Sequence, residues 1–155
     1  MIDIGIPENN RKEITIKLNV LLANEYILYT KTLNYHWNIV SRDFGALHKF
    51  FENQYEELFD IIDAVAERVR SLGFKAYGTL KEFIENTTLA EYPGKYPDDR
   101  TMIEHLLKDH ETIIKQLRQD ADLTMDLNDI GTNNFLTDIL EKHEKMAWML
   151  RAHLD

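Results

Sequence analysis

Two histidines and three carboxylates in the first half of the chain stand at intervals that suit metal binding: His36, His48, Glu52, Asp63 and Glu67. Imidazole nitrogens mixed with carboxylate oxygens make a donor set for iron, and also for zinc or manganese. The spacing imposes a geometric condition. On one helix turning about 100° per residue, Glu52 lies roughly 40° from His48, Asp63 roughly 60° and Glu67 roughly 100°. These four therefore share a face. The axial distances differ sharply, because the 15 residues from His48 to Asp63 correspond to roughly 22 Å of helix. One metal cannot touch both ends of one straight helix. It can if two copies of the helix cross antiparallel about a two-fold axis, so that His48 and Glu52 of one chain face Asp63 and Glu67 of the other. His36, at the end of the preceding helix, joins the first pair across a short turn.

The elements that must hold these residues are helical. Apolar residues recur at helical intervals between Arg11 and Val40 (Ile14, Leu18, Leu21, Leu28), which predicts one long helix. The stretch SRDFG breaks it, with Ser41 as candidate N-cap of the next. That second helix carries Leu47, Phe51, Leu58, Ile62, Val65, Val69 and Leu72, and Gly73 stands where a glycine C-cap belongs. A long connection from Phe74 to Asp98 contains a short helical segment, TLKEFIEN, opened by the capping-box pattern Thr79-x-x-Glu82. A third long helix follows with Ile103, Leu106, His110, Ile113 and Leu117 on one stripe. A fourth runs from about Thr132 with Leu136, Ile139, Leu140, His143, Met146 and Leu150. Four long helices with a long crossover between the second and third describe an all-α, ferritin-like four-helix bundle with a short extra helix in that crossover.

The usual intrachain di-iron centre of such bundles needs Glu-x-x-His motifs. Leu33, Gly45, Met102, Leu107, Leu140 and Leu150 stand three residues before the 6 histidines. None is Glu, so that centre is absent. His110 and His143 lie on apolar stripes and read as core histidines, while His105 and His153 read as surface residues. Tyr35, Trp37 and Trp148 are aromatic side chains able to donate electrons to oxidising intermediates, although core packing suits Trp148.

Composition narrows the function classes. The 155 residues suit one domain with a sizeable core. The hydrophobic fraction of 44% is too high for a disordered chain. There is no cysteine, hence no disulfide, thiolate zinc site or thiol catalysis. A formal net charge of -9 opposes bare electrostatic attraction to nucleic acid or anionic membranes and suits the handling of cations. The N-terminal MIDIGIPENNRKE lacks an apolar core of signal-peptide length, and no run approaches a membrane span. A cytoplasmic protein is the expectation.

The segments NYHWNIVSRDFGALHKFFENQYEELFDIIDAVAERVRSLG (34–73) and FLTDILEKHEKMAWMLRAHL (135–154) resemble the Dps family of mini-ferritins, the DNA-binding proteins from starved cells, and the resemblance runs over nearly the whole chain. The spaced set His, His, acid, Asp, Glu, with AER after the Asp, falls here on His36, His48, Glu52, Asp63 and Glu67. The family more often has Asp at the place of Glu52. The resemblance implies a single Dps domain over 1–155, with residues 1–10 as a flexible N-terminal tail. It also implies a hollow homo-dodecamer that oxidises Fe(II), usually with hydrogen peroxide, at two-fold interfaces. The Fe(III) is stored as mineral, which protects against oxidative stress. Dps cages also have acidic three-fold pores that admit Fe(II). Asp122, Asp126 and Asp129 are candidates for such a pore, if the third long helix continues that far. Some Dps proteins coat DNA through a lysine-rich tail. Here the residues before the first helix offer Arg11 and Lys12 against Asp3 and Glu8, so DNA binding through the tail is not expected. A non-enzymatic DNA-coating stress protein or a structural cage with weak iron chemistry is the alternative reading.

Overall fold

The computed structural model describes residues 2–155. Five helices account for most of them: α1 (Glu8–Asn38), α2 (Phe44–Ser71), α3 (Leu80–Asn86), α4 (Asp99–Asp126) and α5 (Ile130–Arg151). No strand occurs among the described residues. The four long helices pair as two hairpins, α1 with α2 and α4 with α5. Each hairpin closes with a connection of a few residues, and the long crossover from α2 to α4 carries α3 across α1. This is the bundle that the periodicity predicts.

The core follows the stripes. Ile14, Leu18, Leu21, Leu22 and Leu28 of α1 meet Phe51, Leu58, Val65 and Val69 of α2, all essentially inaccessible to solvent. Met102, Leu106, Ile113 and Leu117 of α4 and Leu136, Ile139 and Leu150 of α5 complete it. Burying each such side chain contributes about 1.5–3 kcal/mol, and this outweighs local propensity in fixing where the helices lie.

The ends of the helices show which cap signals operate. Gly73 adopts φ 95°. Its N–H donates to the Arg70 carbonyl at 2.9 Å and the Phe74 N–H donates to the Val69 carbonyl at 3.3 Å, the two bonds of a Schellman stop. The Ile2 side chain approaches so closely that a Cβ at Gly73 would lie 2.2 Å from it. Thr79 and Glu82 form the reciprocal capping box, and α3 then docks through Phe83 stacked on Tyr26 at 4.4 Å.

Several boundaries differ from the sequence expectation. Helix α1 begins at Glu8, not Arg11, behind Pro7, whose φ of -55° suits a helix start. Near its start, Arg11 donates to the Ile6 carbonyl at 3.1 Å and to the Leu72 carbonyl at 2.7 Å. Asp43, not Ser41, precedes α2, and the Ser41 hydroxyl accepts from the Asp43 N–H instead. Helix α5 starts two residues early, at Ile130, because Asp129 caps it by accepting from the Thr132 N–H at 2.8 Å. No described helix is long and apolar enough to cross a membrane.

Candidate metal centre

The last turn of α1 and the first turns of α2 bring His36 and His48 together. Their rings stack, with centroids 3.7 Å apart and planes 13° from parallel. Each imidazole bonds to the main chain beside the other. His36 Nδ1 donates to the His48 carbonyl at 2.7 Å, and His48 Nδ1 donates to the His36 carbonyl at 2.8 Å. A carbonyl only accepts, so both Nδ1 atoms carry protons, and in the neutral imidazole the lone pair lies on Nε2. Outer hydrogen bonds of this kind hold a histidine that ligates a metal through Nε2. Phe44 stacks on His48 at 5.0 Å and Tyr55 meets the His36 ring edge-on at 5.2 Å. His36 is only 7% exposed, so the pair sits at the floor of a surface rather than on a freely moving end.

Glu52 lies one turn beyond His48 and is partly exposed. Its carboxylate accepts from Lys49 Nζ at 2.7 Å. That bond is the main cause holding its pKa below the usual carboxylate value, with the nearby His36 and His48 adding to it. Lys49 is itself exposed and would have to swing away for Glu52 to face a cation.

Asp63 and Glu67 are exposed on the distal half of α2. The helix is continuous from Phe44 to Ser71, so the separation of roughly 22 Å from His48 persists. Within one chain the structure joins His36 to His48, with Glu52 one turn away and paired with Lys49, and it does not bring Asp63 and Glu67 to them. No group of three or more His, Asp or Glu side chains that could hold a metal ion is found among the described residues. One chain thus presents an imidazole pair and a carboxylate pair near opposite ends of one helix.

The acidic cluster near the other end of the bundle divides. Asp122 and Asp126 are exposed on α4. Helix α4 stops at Asp126, and Asn128 at φ 59° turns the chain. Asp129 is therefore not on the same helix face. It is 1% exposed and paired with Arg68 at 3.2 Å. It caps α5 and does not line an acidic surface.

The bundle interior holds polar groups that periodicity had hidden. Glu25 Oε1 accepts from His143 Nε2 at 2.7 Å, and His143 Nδ1 lies 2.8 Å from His110 Nδ1. All three are fully buried. The two histidines are core residues, as read from the sequence. Glu25 is an addition with a legible signal, since it continues the stripe 14, 18, 21, 25, 28 of α1. Burial, and then His143, push the His110 pKa well below its ordinary value. Tyr35 Oη and His105 Nδ1 lie 2.7 Å apart, so His105 is a half-buried partner in a bond between α1 and α4 and not a surface residue. Burial first, then Tyr92 and Asp109, push the Tyr35 phenol up to about 12. Trp148, by contrast, is 61% exposed and does not pack in the core.

The ferritin-like domain family matches residues 16–155. A low temperature-induced protein of Nostoc sp. is 41% identical over 155 residues, covering 99% of this chain and 87% of the relative. DNA protection during starvation protein 2 of Bacillus anthracis is 34% identical over 145 residues, covering 93% of this chain and 98% of the relative. The solved structure of DpsC from Streptomyces coelicolor superposes with a TM-score of 0.97 at 31% identity, covering 100% of this chain and 91% of that one.

Proposed function

The chain belongs to the Dps family of ferritin-like proteins, and from that premise we propose that it oxidises Fe(II) with hydrogen peroxide and stores the Fe(III) as mineral inside a dodecameric cage. Fe(II) is the substrate. It binds between His36 and His48 of one chain and Asp63 and Glu67 of the partner subunit, across a two-fold axis. A second Fe(II) lies close by, with Glu52 as a ligand. Two Fe(II) supply the two electrons that carry one peroxide to two waters, without the one-electron step that releases hydroxyl radical. Asp122 and Asp126 belong to an acidic pore whose field concentrates Fe(II) at its mouth.

The observation that supports this reading most is the reciprocal bonding of His36 and His48. It keeps both Nε2 lone pairs available at a place where the chain has no complete ligand set of its own. The experiment is an anaerobic Fe(II) titration followed by peroxide. We expect a ferric absorbance that saturates near two Fe(II) per peroxide. With further iron, electron microscopy should show round particles with dense cores. Particles that stay empty under these conditions would remove the storage function.

DNA coating is the competing reading. Twelve chains, each at -9, carry a formal charge of about −108, and like charges repel. No stable complex with linear duplex is expected at physiological salt without divalent metal. A clear gel shift there would reverse that judgement.

A further inference from the structure

Tyr35 and His105 form a pair that the iron chemistry above leaves unused. Among the 7 tyrosines, all within the described residues, Tyr35 is the one whose hydroxyl meets a side-chain base, at 2.7 Å from His105 Nδ1. Tyr35 is 1% exposed. The ring of Tyr92 covers the imidazole at 4.4 Å. One turn along α1 and α4, the buried Lys31–Asp109 ion pair fixes the same two helices against each other. Tyr35 also directly precedes His36 on α1, so a single peptide unit links the residue that carries the phenol to the one that carries the imidazole.

We propose that Tyr35 is a one-electron donor to the iron site and that His105 accepts its proton. The proposal rests on the reading of His36 as an Fe(II) ligand. Reducing peroxide to water takes two electrons. A site holding two Fe(II) supplies both, whereas a site holding one is an electron short. In that case Fe(II) gives one electron and Tyr35 gives the other. The phenolic proton moves to His105 Nδ1, two protons come from solvent, the O–O bond breaks, and two waters leave. The products are Fe(III), a neutral tyrosyl radical and an imidazolium. Reduction ends at water and not at hydroxyl radical. A later Fe(II) returns the electron to the radical, and His105 returns the proton.

The base selects the residue. An oxidised phenol is a strong acid, so its oxidation is eased where a positioned group takes the proton. Tyr55 touches the His36 ring, but its hydroxyl has no such acceptor among the described residues. Trp37 is adjacent to His36 on the other side, but it is 67% exposed and would leave a radical open to solvent.

The test uses the assembled protein. It is loaded anaerobically with one Fe(II) per site, mixed with peroxide and frozen within seconds for electron paramagnetic resonance. We expect a tyrosyl signal that narrows when the tyrosines are ring-deuterated and weakens several-fold at two Fe(II) per site. Tyr35→Phe should abolish it and raise spin-trapped hydroxyl radical several-fold at the one-iron loading. His105→Gln keeps a hydrogen-bond acceptor for the phenol but no base. If proton acceptance matters, its signal falls several-fold while the cage mass is unchanged. An undiminished signal in His105→Gln would remove His105 from the proposal. A wild-type protein that oxidises Fe(II) without any tyrosyl signal, or a Tyr35→Phe protein with the same signal, would overturn the proposal and leave the ferroxidase reading standing. Failure to oxidise Fe(II) at either loading would overturn both.

Discussion

Cages reassembled from an equal mixture of His48→Ala and Asp63→Ala chains are expected to regain peroxide-dependent Fe(II) oxidation that neither variant has alone. Each variant by itself removes a donor from every site. Even partners one shell further out typically cost about 10–100-fold when lost, so each should keep little activity. Mixing changes the count. In a two-fold pair containing one chain of each kind, one site joins His48 of the Asp63→Ala chain to Asp63 of the His48→Ala chain and is wild type. Its mate carries both lesions. Random assembly makes about half of the pairs mixed, so about a quarter of all sites are intact, and the rate should recover to about that fraction if the sites work independently. A site within one chain predicts no recovery, because every chain carries a lesion. Native mass must show intact mixed cages, since failed assembly would mimic the negative result. No recovery in such cages would end the inter-subunit assignment.

That experiment tests the step of the argument that was most legible in the sequence. The two-fold requirement comes from residue spacing alone: helix rise separates His48 from Asp63, and the unbroken α2 keeps them apart. The bundle was legible for a related reason, because long apolar stripes at helical period leave few alternatives. What stayed hidden depends on the main chain. The bonds from His36 and His48 to each other's carbonyls have no sequence signature, since every residue has a carbonyl. Asp129 shares a face with Asp122 and Asp126 only if α4 runs three residues beyond its end at Asp126. The left-handed Asn128 and the capping preference of aspartate decided otherwise. His105 read as exposed because the crossover that covers it is a loop without periodicity. Glu25 does carry a signal in the sequence, since a carboxylate in register with leucines marks a buried polar contact.

Removing that carboxylate should have the largest effect on stability. Glu25→Ala leaves His143 Nε2–H without an acceptor inside a fully buried cluster, which already contains two unpartnered atoms, Glu25 Oε2 and His110 Nε2. Breaking a buried polar pair from one side typically costs about 3–5 kcal/mol, so calorimetry at fixed protein concentration should show a midpoint lower by roughly 10 °C. The triple replacement Glu25→Leu, His110→Leu and His143→Leu removes every member together, and apolar side chains of similar size in such places are often neutral or better. It should regain most of the loss. The cluster also sets a pH dependence whose sign is fixed. His110 in the fold resists protonation until well below its ordinary range, whereas in the unfolded chain it takes a proton near pH 6.5. The unfolded state therefore binds the extra proton first. The contribution of His110 is complete above about pH 6.5 and is lost as the pH falls toward the folded value, with a slope of at most about 1.4 kcal/mol per pH unit. His105, held low mainly by burial, acts in the same direction. Between about pH 6.5 and 5, above most carboxylate titrations, the wild-type midpoint should fall with acid, and the triple variant should fall distinctly less. Equal slopes for the two proteins would show that the buried imidazole is not what acid attacks.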